Sequence, residues 1–335
     1  MRAHPRIWSI LRVGATVTML AVLLTRVKAD QIVPEWDMDS VGWIALALGV
    51  TLVGVVFAAV RWQRVLVALD LRSRVSRLLP TYLAGLFISN FLPTTIAGDA
   101  LRVSRVASET GEGPRSFASV VLERMTGWAV LPLLSLAALA INPTLLHLPG
   151  GTTAVRAAVV LCLITLGALL AILFVAGHPK LGGRLNSQAG WRRFTGAIHV
   201  GIDQFRHRPR VAIQALVAGL AYQLAVILAA FAAGRALGLT VGWTAFMAFM
   251  PVVAIIQVLP LTIGGLGLRE GALAVLLAPL GVSQSHAVAL GLLVYAINLV
   301  VSLLGAPSFA IGRRPRTSGP LAGGPGPVGP APAGA

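Results

Sequence analysis

The chain has 335 residues, 56% of them hydrophobic and 11% charged, with a mean hydropathy of +0.84. Ordinary soluble domains are roughly 45–50% apolar and about 25% charged, so a water-soluble enzyme is excluded. The net charge of +16, from 27 Lys plus Arg against 11 Asp plus Glu, would suit a nucleic-acid binder, yet the excess lies in short clusters between long apolar runs, the layout of a polytopic membrane protein.

A hydrocarbon core of about 30 Å takes about 20 apolar helical residues, because a lipid-exposed backbone must satisfy its own polar groups. Six runs meet this length, at about 7–24, 41–60, 117–141, 153–176, 211–233 and 286–311. The first follows Arg2 and Arg6 like a signal peptide, but Thr25-Arg26-Val27-Lys28 offers no small-residue cleavage site, which predicts a retained anchor. Residues 25–40 carry Asp30, Glu35, Asp37 and Asp39 and are expected outside. Residues 61–77 hold Arg61, Arg64, Arg72, Arg74 and Arg77, and 177–210 hold seven Lys or Arg; both are expected to be cytoplasmic loops. Trp191, Phe194 and Phe205 in the latter suit either an interfacial helix or a simple topogenic loop. The weakly charged 142–152 and 234–242 are expected outside, and Arg313, Arg314 and Arg316 place the C-terminus in the cytoplasm with the N-terminus.

Two shorter apolar stretches, 78–92 and 243–259, break the parity of this topology if counted as full crossings. Each is expected to enter the membrane and return, in opposite directions; eight full spans is the alternative. An internal match supports the pairing. Residues 92–102, LPTTIAGDALR, align without gaps to 259–269, LPLTIGGLGLR, with seven of eleven positions identical. The predicted fold is an all-α polytopic membrane protein with six full spans and two re-entrant broken helices in an inverted repeat. Residues 1–311 form one membrane domain, and 312–335 a disordered Gly/Pro/Ala-rich tail.

Paired Gly/Pro-interrupted segments in matching places of two halves point to a transporter's binding site. Pro93 and Pro260 disfavour continued helix, and Gly98, Gly264, Gly265 and Gly267 permit breaks, hinges and close backbone approach. Around the breaks stand Asp99, Arg102, Glu123, Arg124, Arg269 and Glu270, three acids and three bases. A charge in mid-bilayer costs roughly 2.5–3.5 kcal/mol on insertion scales, so these six are expected to face the interior and pair. Either they lock the broken helices in place, or the three arginines receive an anionic headgroup while the carboxylates hold them between occupancies. Asn90, just before the first break, is a cavity polar group or a local cap. Gln223, Gln257 and Asn298 suit hydrogen bonding between helices.

No cofactor or metal is expected. Cys162 is the one cysteine and lies in an apolar run, and the six histidines are scattered without ligand spacing. The cluster at 264–271 has neither the spacing nor the βαβ surroundings of a dinucleotide loop.

Several motifs in this order resemble the flippase-like membrane domain of bacterial lysylphosphatidylglycerol synthases and its stand-alone relatives. They are Arg61-Trp62, Asn90-Phe-Leu-Pro93 with Gly98-Asp99-Ala-Leu-Arg102, Leu122-Glu123-Arg124, and Gly264 to Gly271, over residues 7–311. Departures are Ala97 where the family usually has Gly, and Ile263 where it often has Pro. The resemblance implies movement of lipids or lipid-linked molecules between leaflets of the cytoplasmic membrane. In the synthases the domain flips an aminoacylated phospholipid made by a fused catalytic domain. The stretch after residue 311 is too short to fold such a domain, so enzymatic activity is not expected of this polypeptide. The expected partners are membrane lipids bearing an anionic headgroup or lipid-linked phosphate, with a separate lipid-modifying enzyme as a further partner and no nucleic acid. The rival reading is a membrane subunit that presents a lipid to a separate glycosyltransferase or synthase without moving it.

Overall fold

A computed structural model describes residues 37–91, 96–177, 192–258, 262 and 265–311. Among them all regular structure is helical: α1 (Met38–Ala68), α2 (Val75–Phe91), α3 (Ile96–Thr110), α4 (Gly113–Ile141), α5 (Thr152–Gly177), α6 (Arg192–His207), α7 (Pro209–Ala236), α8 (Trp243–Gln257), α9 (Leu268–Leu277), α10 (Gln284–Leu303) and α11 (Ala306–Ile311), with 3-10 turns at Pro143–His147 and Ala278–Leu280. The predicted run at 7–24, the tail from 312, and Pro93, Pro260 and Gly264 lie outside the described residues.

Local chemistry sets the ends. Asp37 caps α1 by accepting the Ser40 N–H at 2.7 Å, and Ser283 caps α10 by accepting the His286 N–H at 3.2 Å. Five helices are long and apolar enough to cross a membrane: Met38–Ala68, Gly113–Ile141, Thr152–Val175, Pro209–Ala236 and Gln284–Leu303. They correspond to the five predicted runs within the described residues. On α5 the side chains of Leu163, Ile164, Leu170 and Phe174 point outward, as a helix facing lipid requires. The chain is a multi-pass membrane protein.

Two predicted boundaries are corrected. Helix α1 does not stop before Arg61; it continues to Ala68, so Arg61 and Arg64 belong to a helix rather than a loop. The last run ends at Leu303, and the separate α11 begins after Leu304–Gly305, where an alanine's Cβ at Gly305 would stand 2.1 Å from the Leu83 carbonyl oxygen. That approach, and the bonds from Arg105 to Ser308 at 2.6 and 3.0 Å, bind α11 to α2 and α3.

The longest seam joins α1 to α7. A Cβ built on Gly54 meets Ala225 at 3.3 Å, and one on Gly219 meets the Arg61 Cδ at 3.2 Å, so the two helices run antiparallel. Helix α7 turns Ala215, Ala218, Gly219, Ala225 and Ala229 inward, and small residues let helices approach closely where hydrophobicity alone cannot drive association in lipid.

The two short apolar stretches form α2 and α8, of 17 and 15 residues. At 1.5 Å per residue they are about 26 and 23 Å long, less than a bilayer core. Each leads through a break into a second helix that packs back on it, α3 on α2 and α9 on α8. In the first hairpin Gly98 meets Gly85 so closely that a Cβ at 98 would fall 2.2 Å from the Gly85 carbonyl oxygen. Gly98 therefore sits within α3 and serves close approach, whereas Gly265 (φ +74°) and Gly267 (φ +86°) supply the left-handed turns of the second break.

Candidate functional site

The first hairpin, α1, α4 and α7 bring five charges together. Asp99 and Arg102 stand three residues apart on one face of α3. Glu123 and Arg124 are neighbours on α4, so a turn of about 100° sends them different ways. Glu123 points into the protein with 1% of its side chain exposed, and Arg124 keeps 45%. Gly127, one turn beyond Glu123, leaves room for the Arg61 guanidinium; a Cβ there would stand 2.9 Å from Nη1.

Glu123 is the bridge. Its Oε1 accepts from Arg61 Nη2, and its Oε2 accepts from Arg102 Nη2 at 3.0 Å, so one carboxylate joins α1, α3 and α4. Both arginine side chains are 6% exposed. Two buried cations beside one anion are tolerated only with further compensation. Arg102 finds it between two rings, its Cζ 4.1 Å from the centre of Trp62 and 4.4 Å from that of Tyr82, and Arg61 lies 5.1 Å from the Tyr222 ring. Trp62 is held by its Nε1–H, which donates to Ser119 Oγ at 3.1 Å.

Asp99 is the outer acid, 19% exposed. Its Oδ2 receives Arg124 through Nε at 2.6 Å and Nη2 at 2.5 Å, and its Oδ1 lies 3.5 Å from Arg102 Nη1. Three guanidiniums against two carboxylates give the cluster a net charge of +1. Its donors exceed its acceptors: Arg61 Nε and Nη1 and Arg102 Nε are buried without a hydrogen-bond partner. Such groups are costly unless something accepts from them.

These side chains line a cavity of about 280 Å³, closed further by Ser89, Trp128, Gln223 and, from the end of α8, Val258. At about 30 Å³ per water molecule it holds roughly nine waters, room for a headgroup and not for a whole lipid. Asp99, Arg102, Glu123 and Arg124 meet as the sequence predicted, and Gly98 is part of the wall. The other predicted residues lie elsewhere. Asn90 is half-buried in the last turn of α2 and is not a wall of the cavity. Arg269 and Glu270 form their own buried pair on α9 at 2.9 Å, beside the Tyr295 ring. Glu270 Oε2 accepts the Gly267 N–H at 2.6 Å, a cap on the first turn of α9, and that bond ties it to the second break rather than to the cavity.

Sequence reasoning missed Arg61, Trp62, Tyr82 and Tyr222. Arg61 was assigned to a basic loop because apolar content falls there, although Arg61-Trp62 was itself a family motif; the signal was present as a motif and hidden as a charge. Of the amides expected between helices, Gln223 reaches the cavity, but Gln257 and Asn298 donate back within their own helices, to Val253 O at 3.3 Å and Val294 O at 2.8 Å.

Among comparisons with known proteins, the family model described as the lysylphosphatidylglycerol synthase TM region matches residues 9–305. No curated protein matches the chain.

Proposed function

Because the chain belongs to the lysylphosphatidylglycerol synthase TM region family, a membrane family linked to lipid handling, we propose that it moves an anionic phospholipid or lipid-linked envelope precursor between the leaflets of the cytoplasmic membrane, leaving it chemically unchanged. The observation that carries this reading is the surplus of buried donors. Arg61 Nε and Nη1 and Arg102 Nε stand unpartnered at a net-positive cavity among spans, which suits a phosphate oxygen. Arg61, Arg102 and Arg124 bind the headgroup phosphate, and Glu123 fixes the first two in place. The hairpins α2–α3 and α8–α9 act as oppositely directed re-entrant elements of an inverted repeat that open the cavity toward one leaflet and then the other. Arg269 and Glu270 secure the second break. Both termini lie in the cytoplasm, in keeping with the basic segments.

The test is transbilayer movement of fluorescent phosphatidylglycerol and phosphatidylcholine in reconstituted vesicles, with Arg102→Gln protein of equal yield beside wild type. Movement of the anionic lipid that the variant loses supports a translocator. Saturable binding of phosphatidylglycerol with no movement, beside an active control flippase, would replace it with a subunit that presents lipid to a separate enzyme.

A further inference from the structure

The two carboxylates of the cluster are not equivalent. Glu123 is 1% exposed and spends its two oxygens on two arginines that are equally buried. Asp99 is 19% exposed, and its main partner Arg124 is the one half-exposed cation. Its second contact, to Arg102, is long at 3.5 Å, on a guanidinium already held by Glu123. The first acid is built in; the second is held by an ion pair of the wet, readily broken kind. Moreover, Arg124 grips Asp99 through Nε and Nη2 together, with both nitrogens on a single oxygen, the fork that would equally grip one phosphate oxygen.

Resting on the proposed headgroup site, we infer that Asp99 is an internal competitor for the headgroup: its carboxylate occupies the phosphate's place on Arg124 and Arg102, and loading is the exchange of one anion for another. An arriving phosphodiester takes the Arg124 fork and the edge of Arg102 that Asp99 now holds through Nη1. Asp99 swings into the cavity water. No bond is made or broken other than hydrogen bonds, and no proton moves.

Charge arithmetic fits the cargo class. The cluster carries three guanidiniums and two carboxylates, so one phosphodiester monoanion brings it to neutrality. Without Asp99 the net charge would be +2, and an anion bound there would be held more firmly and released more slowly. Transport requires binding strong enough to enter and weak enough to release. Asp99 supplies the weakening, and it closes the site with its own charge when the lipid departs.

The experiment is titration of purified full-length protein in neutral detergent with dihexanoyl phosphatidylglycerol, and with dihexanoyl phosphatidylcholine as the zwitterionic control, followed by tryptophan fluorescence, since Trp128 lines the cavity. Wild type, Asp99→Asn, Asp99→Ser and Asp99→Glu are compared. Removing the competing charge is expected to tighten phosphatidylglycerol binding about two- to fivefold, the scale of a partly exposed ion pair. Asp99→Glu, which keeps a competing charge, is expected to bind less tightly than either neutral variant. In vesicles the neutral variants then move lipid more slowly although they bind it better. If Asp99 only positions Arg124, the neutral variants bind more weakly and Asp99→Glu recovers, which overturns the inference while the headgroup site stands. Equal binding in wild type and both neutral variants overturns it as well. A wild type with no preference for phosphatidylglycerol over phosphatidylcholine removes the headgroup reading and the inference with it. Two neutral variants keep the test usable if one does not fold.

Discussion

Replacing Glu123 by Gln should be the most damaging conservative substitution in the chain. The carboxylate makes two charge-assisted hydrogen bonds to buried arginines, and each such bond contributes about 1.5–3 kcal/mol. A glutamine keeps one acceptor oxygen. Its amide would turn two N–H donors toward the other guanidinium, so one bond becomes a clash of donors and the survivor loses its charge. Arg61 would then remain buried without a counterion and Arg102 with only its long contact to Asp99 at 3.5 Å, and removing one partner of a buried pair costs about 3–5 kcal/mol. We expect a loss of about 3–5 kcal/mol, measured as unfolding of the purified protein by a rising SDS fraction in mixed micelles, followed by circular dichroism. Glu112→Gln is the control: that residue is exposed at the start of α4 with no side-chain cap bond, and its loss should lie within about 0.5 kcal/mol. Adding Arg61→Met to Glu123→Gln removes one uncompensated cation and should recover part of the loss. A Glu123→Gln protein within about 1 kcal/mol of wild type would refute the argument that this carboxylate holds the cluster.

Three further outcomes are expected. Gly98→Ala should destabilise by about 1–3 kcal/mol or more and abolish lipid movement, because the opposing atom 2.2 Å away is backbone and cannot rotate aside; Gly49→Ala, with nothing within 4 Å, should melt like wild type in the same thermal scan. Arg61→Lys keeps the charge but not the planar fork that reaches Glu123 past Gly127, so binding of phosphatidylglycerol should weaken about tenfold in the fluorescence titration. Glu270→Gln keeps one acceptor oxygen, so it loses the ion pair with Arg269 and can hold only one of the Gly267 and Arg269 bonds; it should lower thermal stability by about 2–3 kcal/mol, while equilibrium headgroup affinity, read in detergent, stays within about twofold because neither residue lines the cavity.

Hydropathy located five spans that the structure also has, since twenty apolar residues in a row leave lipid as the only solvent for them. It misplaced the end of α1 for the complementary reason: a window average falls at Arg61-Trp62-Gln63-Arg64 whether the arginines face water or a buried acid. The first four charged candidates were legible because an acid or base beside a helix break has to be answered somewhere. Their partners were not. Trp62, Tyr82 and Tyr222 answer Arg61 and Arg102 across 20 to 160 residues of chain, and nothing in local sequence tells a ring that covers a cation from one that packs in a core. Treating six charges as one balanced set was the natural error. The aligned segments put Arg102 two turns inside α3, which starts at Ile96, and Arg269 in the first turn of α9, which starts at Leu268, and Arg102 takes its acid from the next helix while Arg269 takes it from the next residue. A match between two segments of sequence does not carry equivalent wiring.

The antiparallel seam between α1 and α7 bears on how the cavity could be reshaped. Arg61 rises from that seam, its stem against Gly219 and its head past Gly127, whereas Arg102 and Asp99 ride on the hairpin whose break lies a few residues away. One cation is thus mounted on a keel and another on a rudder. In the transport proposed above, a swing of α3 alters which side admits the headgroup while the charge beneath it stays where it was, and the passenger changes leaflets without losing its counterion.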